Sequence, residues 1–165
     1  MSKIVDYVKK SSLCGEALKV YEDREKNGKL TNMVGTLLHS WPSFTAMEFY
    51  PIRNELIKVV GERAVYLYCY AISVEDECPV CSIYHSKLLD EIGIGFEESC
   101  FTDTERVLVD YGRALARDAN HINEDIYKRL KDNFSDAEIV LITAVGCKMI
   151  ASNLFNSALR VEPAS

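Results

Sequence analysis

Apolar residues recur at helical spacing along most of the chain, and no segment sustains the period-two alternation of a half-buried strand. Leu13, Ala17, Val20 and Tyr21 mark an N-terminal helix over 13–26, which ends in the polar turn Glu25-Lys26-Asn27-Gly28-Lys29. Met33, Leu37 and Leu38 share the next face. After His39-Ser40-Trp41, Pro42 opens a helix carrying Phe44, Met47 and Tyr50, and Pro51 must start or kink the next segment. Residues 62–74 are nearly all apolar and resemble a buried strand, but their length and helical neighbours predict a buried helix. Glu75-Asp76-Glu77 closes it. The following helix opens at Pro79, carries Leu88, Leu89 and Ile92 on one side, and stops at Gly93-Ile94-Gly95. Thr102-Asp103-Thr104-Glu105 is a capping box for a helix through Ala116, and Asn123 caps a short helix to Lys131. Ser135-Asp136-Ala137-Glu138 is a second capping box, for a long apolar helix from Ile139 to about Leu159. The pattern predicts an all-α, single-domain bundle of about seven or eight helices over 1–165.

Composition narrows the partners. The chain has 165 residues, 48% hydrophobic and 27% charged, enough to bury a real core. Its net charge of -6 and scattered Lys and Arg argue against nucleic acid or an anionic membrane surface, which select a basic face. A small molecule or a protein partner fits better. No leader-like pattern and no uninterrupted apolar run of roughly 18 residues is present, so a cytoplasmic protein is expected. Six cysteines are too few for a disulfide scaffold, and Cys14, Cys69, Cys100 and Cys147 lack paired spacing.

The other two cysteines are different. Cys78-Pro79-Val80-Cys81-Ser82-Ile83-Tyr84-His85 is a C-x-x-C-x-x-x-H run. Proline favours the first helical position, which makes Cys78 the cap and Cys81 the third residue of the helix. At roughly 100° per residue, both sulfurs and the imidazole then fall within a sector of about 60°. Free amides and the helix dipole at that end favour thiolate, the nucleophilic form, and His85 one turn on can accept the proton of Cys81 or pair with its thiolate. The two sulfurs are spaced to close a short disulfide, so oxidation of one has a resolving partner. The residues alone leave two other readings open. Zinc would need Cys69 or Cys100 supplied by folding, because Leu89 stands four residues after His85. The bland alternative is two small apolar thiols and a satisfied core histidine. Covalent haem is excluded, since Ser82 occupies the required histidine position.

The surroundings of the motif resemble a known family. Leu30-Thr31-Asn32-Met33 with Leu38-His39-Ser40, Ala71-Ile72-Ser73, the C-x-x-C-x-x-x-H core, Tyr111-Gly112-Arg113-Ala114-Leu115, and Phe134-Ser135-Asp136-Ala137-Glu138-Ile139-Val140 with Asn153-Leu154-Phe155-Asn156 carry the likeness. Together they resemble the carboxymuconolactone decarboxylase family, in its peroxidase-related branch similar to alkylhydroperoxidase D, over about residues 28–162. The resemblance implies an alkylhydroperoxidase D-like helical fold and a thiol-dependent peroxidase or disulfide oxidoreductase without cofactor or metal. Cys81 would attack the peroxide, Cys78 would resolve it as a disulfide, and His85 would belong to a proton relay. A peroxide, a thiol or dihydrolipoyl-type donor protein, and a homo-oligomeric trimer or hexamer are the implied partners. Two positions depart from the family. Its relay glutamate, twelve residues before the first cysteine, is Tyr66; Glu62 one turn earlier reads first as a solvated helix-start glutamate and second as a replacement, and the histidine between its cysteines is Val80. The alternative is a redox-sensing, non-catalytic oligomer. His39 near Trp41 reads as a packing or capping residue, with a substrate mouth as the alternative; His121 belongs to a turn, and Asn153 and Asn156 read as polar contacts across a subunit or helix interface.

Overall fold

The computed structural model describes residues 3–163, and among them only helices and connecting turns form. Nine α-helices run in order: α1 Gly15–Lys26, α2 Asn32–Leu37, α3 Trp41–Met47, α4 Tyr50–Val60, α5 Glu62–Glu75, α6 Pro79–Glu91, α7 Asp103–Asp118, α8 Glu124–Asn133 and α9 Asp136–Leu159, with single 3₁₀ turns at Lys10–Ser12 and Glu98–Cys100. The all-α single bundle expected from periodicity is what forms, and both capping boxes are present with side-chain and backbone bonds in both directions. The expected helix from Pro42 to Tyr50 divides in two. Pro51 has no N–H and fits only the first turn of a helix, so Tyr50 begins α4 rather than ending α3.

The axis of the bundle is α5, against which α4, α6, α7 and α9 pack. Nine of its residues, from Ala64 to Ser73, are buried, which explains a segment without a polar face: it is surrounded on all sides. Tyr68 is the largest side chain completely enclosed. It lies between Gly112 of α7 and Gly146 of α9 and donates its hydroxyl to the Ile142 carbonyl at 3.0 Å. Those glycines are bare because the tyrosine fills the space a Cβ would take.

The α5–α6 turn sets the site. Glu77 takes a left-handed conformation (φ 53°), unusual for a residue with a Cβ, and lets Cys78 return its amide to the Ser73 carbonyl at 3.0 Å. A second, smaller cluster joins α1, α2 and α3 through Val34, Leu37, Leu38 and Phe44 to Phe155 of α9.

Among the described residues, α9 is the one helix long and apolar enough, by length and composition, to span a membrane; in sequence its apolar run is interrupted. One face supplies Ile142, Val145 and Met149 to the main core. The other carries Ala137, Val140, Ala144, Cys147, Ala151, Leu154 and Ala158 at alternating spacings of three and four, with Val140 68% and Leu154 64% exposed. This is a broad exposed apolar face.

Candidate functional site

Cys78 caps α6, Pro79 occupies its first turn, and Cys81 and His85 lie one turn apart on the inner side, all three of Cys78, Cys81 and His85 buried. The helical expectation holds. Both thiols are free and neighbouring. The Cys81 thiol donating toward the Cys78 sulfur is the largest influence, and with the amides of Cys81 and Val80 and the Ser157 hydroxyl it pulls the Cys78 pKa down to about 6 against the opposing effect of burial. Cys81 is pushed well above the ordinary thiol value, first because it gives its hydrogen to Cys78 and then by burial. One proton is thus shared by two sulfurs, and the pair titrates as a unit. The first negative charge rests on Cys78, at the helix start.

Asn156, from α9, donates its amide to the Cys81 sulfur at 3.2 Å and also faces the Met33 sulfur at 3.5 Å. Sequence spacing carries no sign of this: Asn156 lies 75 positions from Cys81, and only packing of α9 on α6 brings it in. Its neighbour in the pattern, Asn153, instead donates to Asp76 at 2.7 Å. Both are polar contacts across a helix interface, α9 meeting the start of α6 and the turn before it.

His85 departs from the simplest expectation for it. Its Nδ1 meets the Cys81 carbonyl at 2.9 Å, not the thiol. A carbonyl only accepts, so Nδ1 carries the hydrogen and Nε2 is a bare acceptor, buried and without a partner. The reason is helical geometry: at i, i+4 the ring reaches the carbonyl its own turn presents. Burial draws its pKa down to about 4, so the ring is neutral at pH 7. In the unfolded chain histidine takes up protons near its ordinary value of 6.5 while the folded one refuses them, so stability is present above 6.5 and is lost as pH falls toward 4. The loss amounts to about 3 kcal/mol. Urea unfolding followed from pH 7 to 4 should show that decline in the wild type and a flatter curve in His85→Asn, which keeps a donor for the carbonyl; identical slopes would refute the assignment.

Tyr66 and Glu62 are joined to each other. The Tyr66 hydroxyl donates to Glu62 Oε1 at 2.6 Å, and burial together with that bond raises the phenol pKa far above the ordinary value. The Arg53 guanidinium stands 5.8 Å from the Tyr66 ring. Neither Tyr66 nor Glu62 lines the cavity that reaches Cys81. Val80 does line it. His39 does not: its Nε2 bonds the Asp6 carbonyl at 2.7 Å. His121 bonds Asp118 at 2.6 Å, as turn chemistry predicts.

That cavity runs between α2, α3, α4, α6 and α9. Counted together with the open solvent at its mouth, its empty space is about 920 Å³. Met33, Leu37, Phe44, Met47, Ile83 and Met149 form apolar wall; Cys81, His85, Asn156, Tyr50, Tyr84 and Arg53 supply the polar groups. Cys81 opens onto it and Cys78 does not. Among the described residues no group of three or more His, Cys, Asp or Glu side chains is gathered to hold a metal. Cys69 stays enclosed in the core, its thiol pushed up to about 12 by burial, and exposed Cys100 faces Glu97 at 3.7 Å.

Comparison with solved structures places this arrangement in a known architecture. An uncharacterised peroxidase-related protein from Silicibacter sp. TM1040 superposes with TM-score 0.80, covering 99% of this chain and 92% of that one at 19% identity. A protein from Ralstonia eutropha JMP134, an alkylhydroperoxidase AhpD core and uncharacterised peroxidase-related protein, gives 0.78 over 99% of this chain and 93% of its own at 18% identity. The fold is that of alkylhydroperoxidase D. An Agrobacterium tumefaciens protein of unknown function, a candidate antioxidant defence protein AhpD, matches 77% of this chain and 94% of its own with TM-score 0.62 and 23% identity. No protein-family model and no curated protein matches the sequence. The alkylhydroperoxidase D-like fold therefore rests on three-dimensional agreement.

Proposed function

We propose that the protein is a thiol-dependent peroxidase or disulfide oxidoreductase of the peroxidase-related branch of the carboxymuconolactone decarboxylase family, with Cys81 as attacking thiol and Cys78 as resolving thiol. One observation carries the reading: Cys81 faces an apolar cavity while its immediate neighbour Cys78 holds the negative charge. The Cys78 thiolate is the base the family glutamate would otherwise serve. It takes the Cys81 proton as Cys81 attacks the terminal peroxide oxygen; the O–O bond breaks, a Cys81 sulfenic acid forms, and the leaving alkoxide recovers the proton from Cys78 to give an alcohol. The Cys78 thiolate then attacks the Cys81 sulfur, forming the disulfide and releasing hydroxide, which solvent protonates to water. A dihydrolipoyl-type dithiol returns two electrons and two protons. Asn156 steadies the Cys81 sulfur, and His85 holds the first turn through the Cys81 carbonyl. Such a cycle requires a reducing compartment such as the cytoplasm.

Steady-state consumption of cumene hydroperoxide with dihydrolipoamide tests this. Wild type should turn over, and Cys81→Ser should lose at least a hundredfold in kcat/KM. No consumption by wild type, or an unchanged rate in Cys81→Ser, rejects it. A second reading, a redox sensor without turnover, draws support from Tyr66 at the relay position and from His85 being tied to a carbonyl. It predicts a reversible loss of two hydrogens by intact mass after peroxide, with no catalytic consumption.

A further inference from the structure

Arg53 is 8% exposed, and its Nε is buried with no hydrogen-bond partner. Among the described residues it makes no ion pair; its guanidinium lies instead over the Tyr50 ring at 4.5 Å, with the Tyr66 ring at 5.8 Å. Aromatic faces offset only a small part of what burying a full charge costs. Arg24, also stacked on Tyr50, is different, because Glu48 accepts from it at 2.6 Å. The remaining cavity cation, Lys87, is exposed. The cavity therefore contains one buried positive charge that the folded chain leaves uncompensated.

We infer that this cavity binds an organic carboxylate with an apolar body, its carboxylate on Arg53 and its chain along Met33, Leu37, Phe44, Met47 and Met149. A guanidinium offers a planar set of donors matched to a carboxylate. Tyr50 and Tyr84, whose hydroxyls meet at 3.0 Å on the same wall, supply neutral donors beside it; burial holds the Tyr50 phenol protonated. The polar end has the complementary need as well. His85 Nε2 and Asn156 Oδ1 are buried acceptors without donors, and the O–H of a hydroperoxide is a donor. On the peroxidase reading, on which this last step rests, the preferred substrate class is a hydroperoxide that also bears a free carboxylate.

Calorimetric titration of the reduced chain and of Cys81→Ser with decanoate and with decanol separates binding from chemistry. Decanoate should bind at least tenfold more tightly than decanol to both proteins, and Arg53→Gln should abolish that preference without weakening decanol. Equal affinity for the two ligands in wild type, no measurable decanoate binding, or an unchanged preference in Arg53→Gln overturns the inference. Should Arg53→Gln fail to fold, Arg53→Lys gives the same test, with a preference reduced but kept; the acid-to-alcohol ratio in wild type stands regardless. In turnover, linoleic acid hydroperoxide should exceed its methyl ester in kcat/KM by at least tenfold. Tight decanoate binding without any turnover would reject the peroxidase reading and leave the carboxylate site standing.

Discussion

In Cys78→Ser the midpoint of thiolate formation, followed by absorbance near 240 nm in the reduced protein, is expected to move from about 6 to above 9. The shift comes from where the charge is held. Cys78 has the helix-start amides, the Ser157 hydroxyl and the Cys81 hydrogen; Cys81 has Asn156 but sits in a drier place, and its burial keeps the thiol form once Cys78 is gone. At pH 7 the thiolate fraction should fall from about nine-tenths to about one-hundredth. Alkylation by iodoacetamide should fall by much less, several-fold, because a thiolate of higher pKa is intrinsically more nucleophilic. Cys81→Ser should be milder: Cys78 loses its largest stabilising neighbour but keeps the amides of the first turn. If the two variants titrate alike, the charge is not localised on Cys78 and the base assigned to it must be sought elsewhere.

Gly146→Ala is expected to cost about 2 kcal/mol of stability, the added methyl meeting the Tyr68 hydroxyl first and Leu115 Cδ2 at 2.7 Å next. In a helix interior alanine is ordinarily better than glycine by about 1 kcal/mol, so a net loss measures the clash and not the backbone. Tyr68 cannot swing aside, since it is wholly enclosed and bonded to the Ile142 carbonyl. Tyr68→Phe alone should cost about 1 kcal/mol for the lost hydrogen bond. In that background Gly146→Ala should cost clearly less, because the obstructing oxygen has gone and only the end of the Leu115 side chain must give. Urea unfolding of the four proteins in a double-mutant cycle gives the coupling directly; additive losses would show that the hydroxyl is not the obstacle. Gly112 meets the same side chain, with ring carbons of Tyr68 at 2.7 and 2.8 Å from an added Cβ.

Much of the architecture is legible in the sequence because its causes are local. Thr102 and Ser135 accept from amides three residues on and are answered by Glu105 and Glu138, an exchange completed within one turn. Pro79 fixes the start of α6 in the same way, and with it the places of Cys78 and Cys81 at the positive end. Residues 62–74 are harder, since a buried helix and a buried strand share the same apolar run; length decides correctly. Periodicity puts Tyr50 in the wrong helix because the helical phase continues across Glu48 and Phe49, whereas the chain breaks there to accommodate Pro51.

By itself, then, the sequence determined a helical bundle, the start of the thiol helix, and the presence of Cys78, Cys81 and His85 on its inner side, all consequences of interactions within a few residues. Only the tertiary structure decided what those groups do to one another. Asn156 reaches Cys81 from 75 positions away, Asn153 takes Asp76, burial strips His85 of its charge, and Arg53 is enclosed with its Nε unpartnered. Hydrogen bonding, burial and charge depend on which surfaces meet when distant helices pack, and helical periodicity carries no information about that meeting.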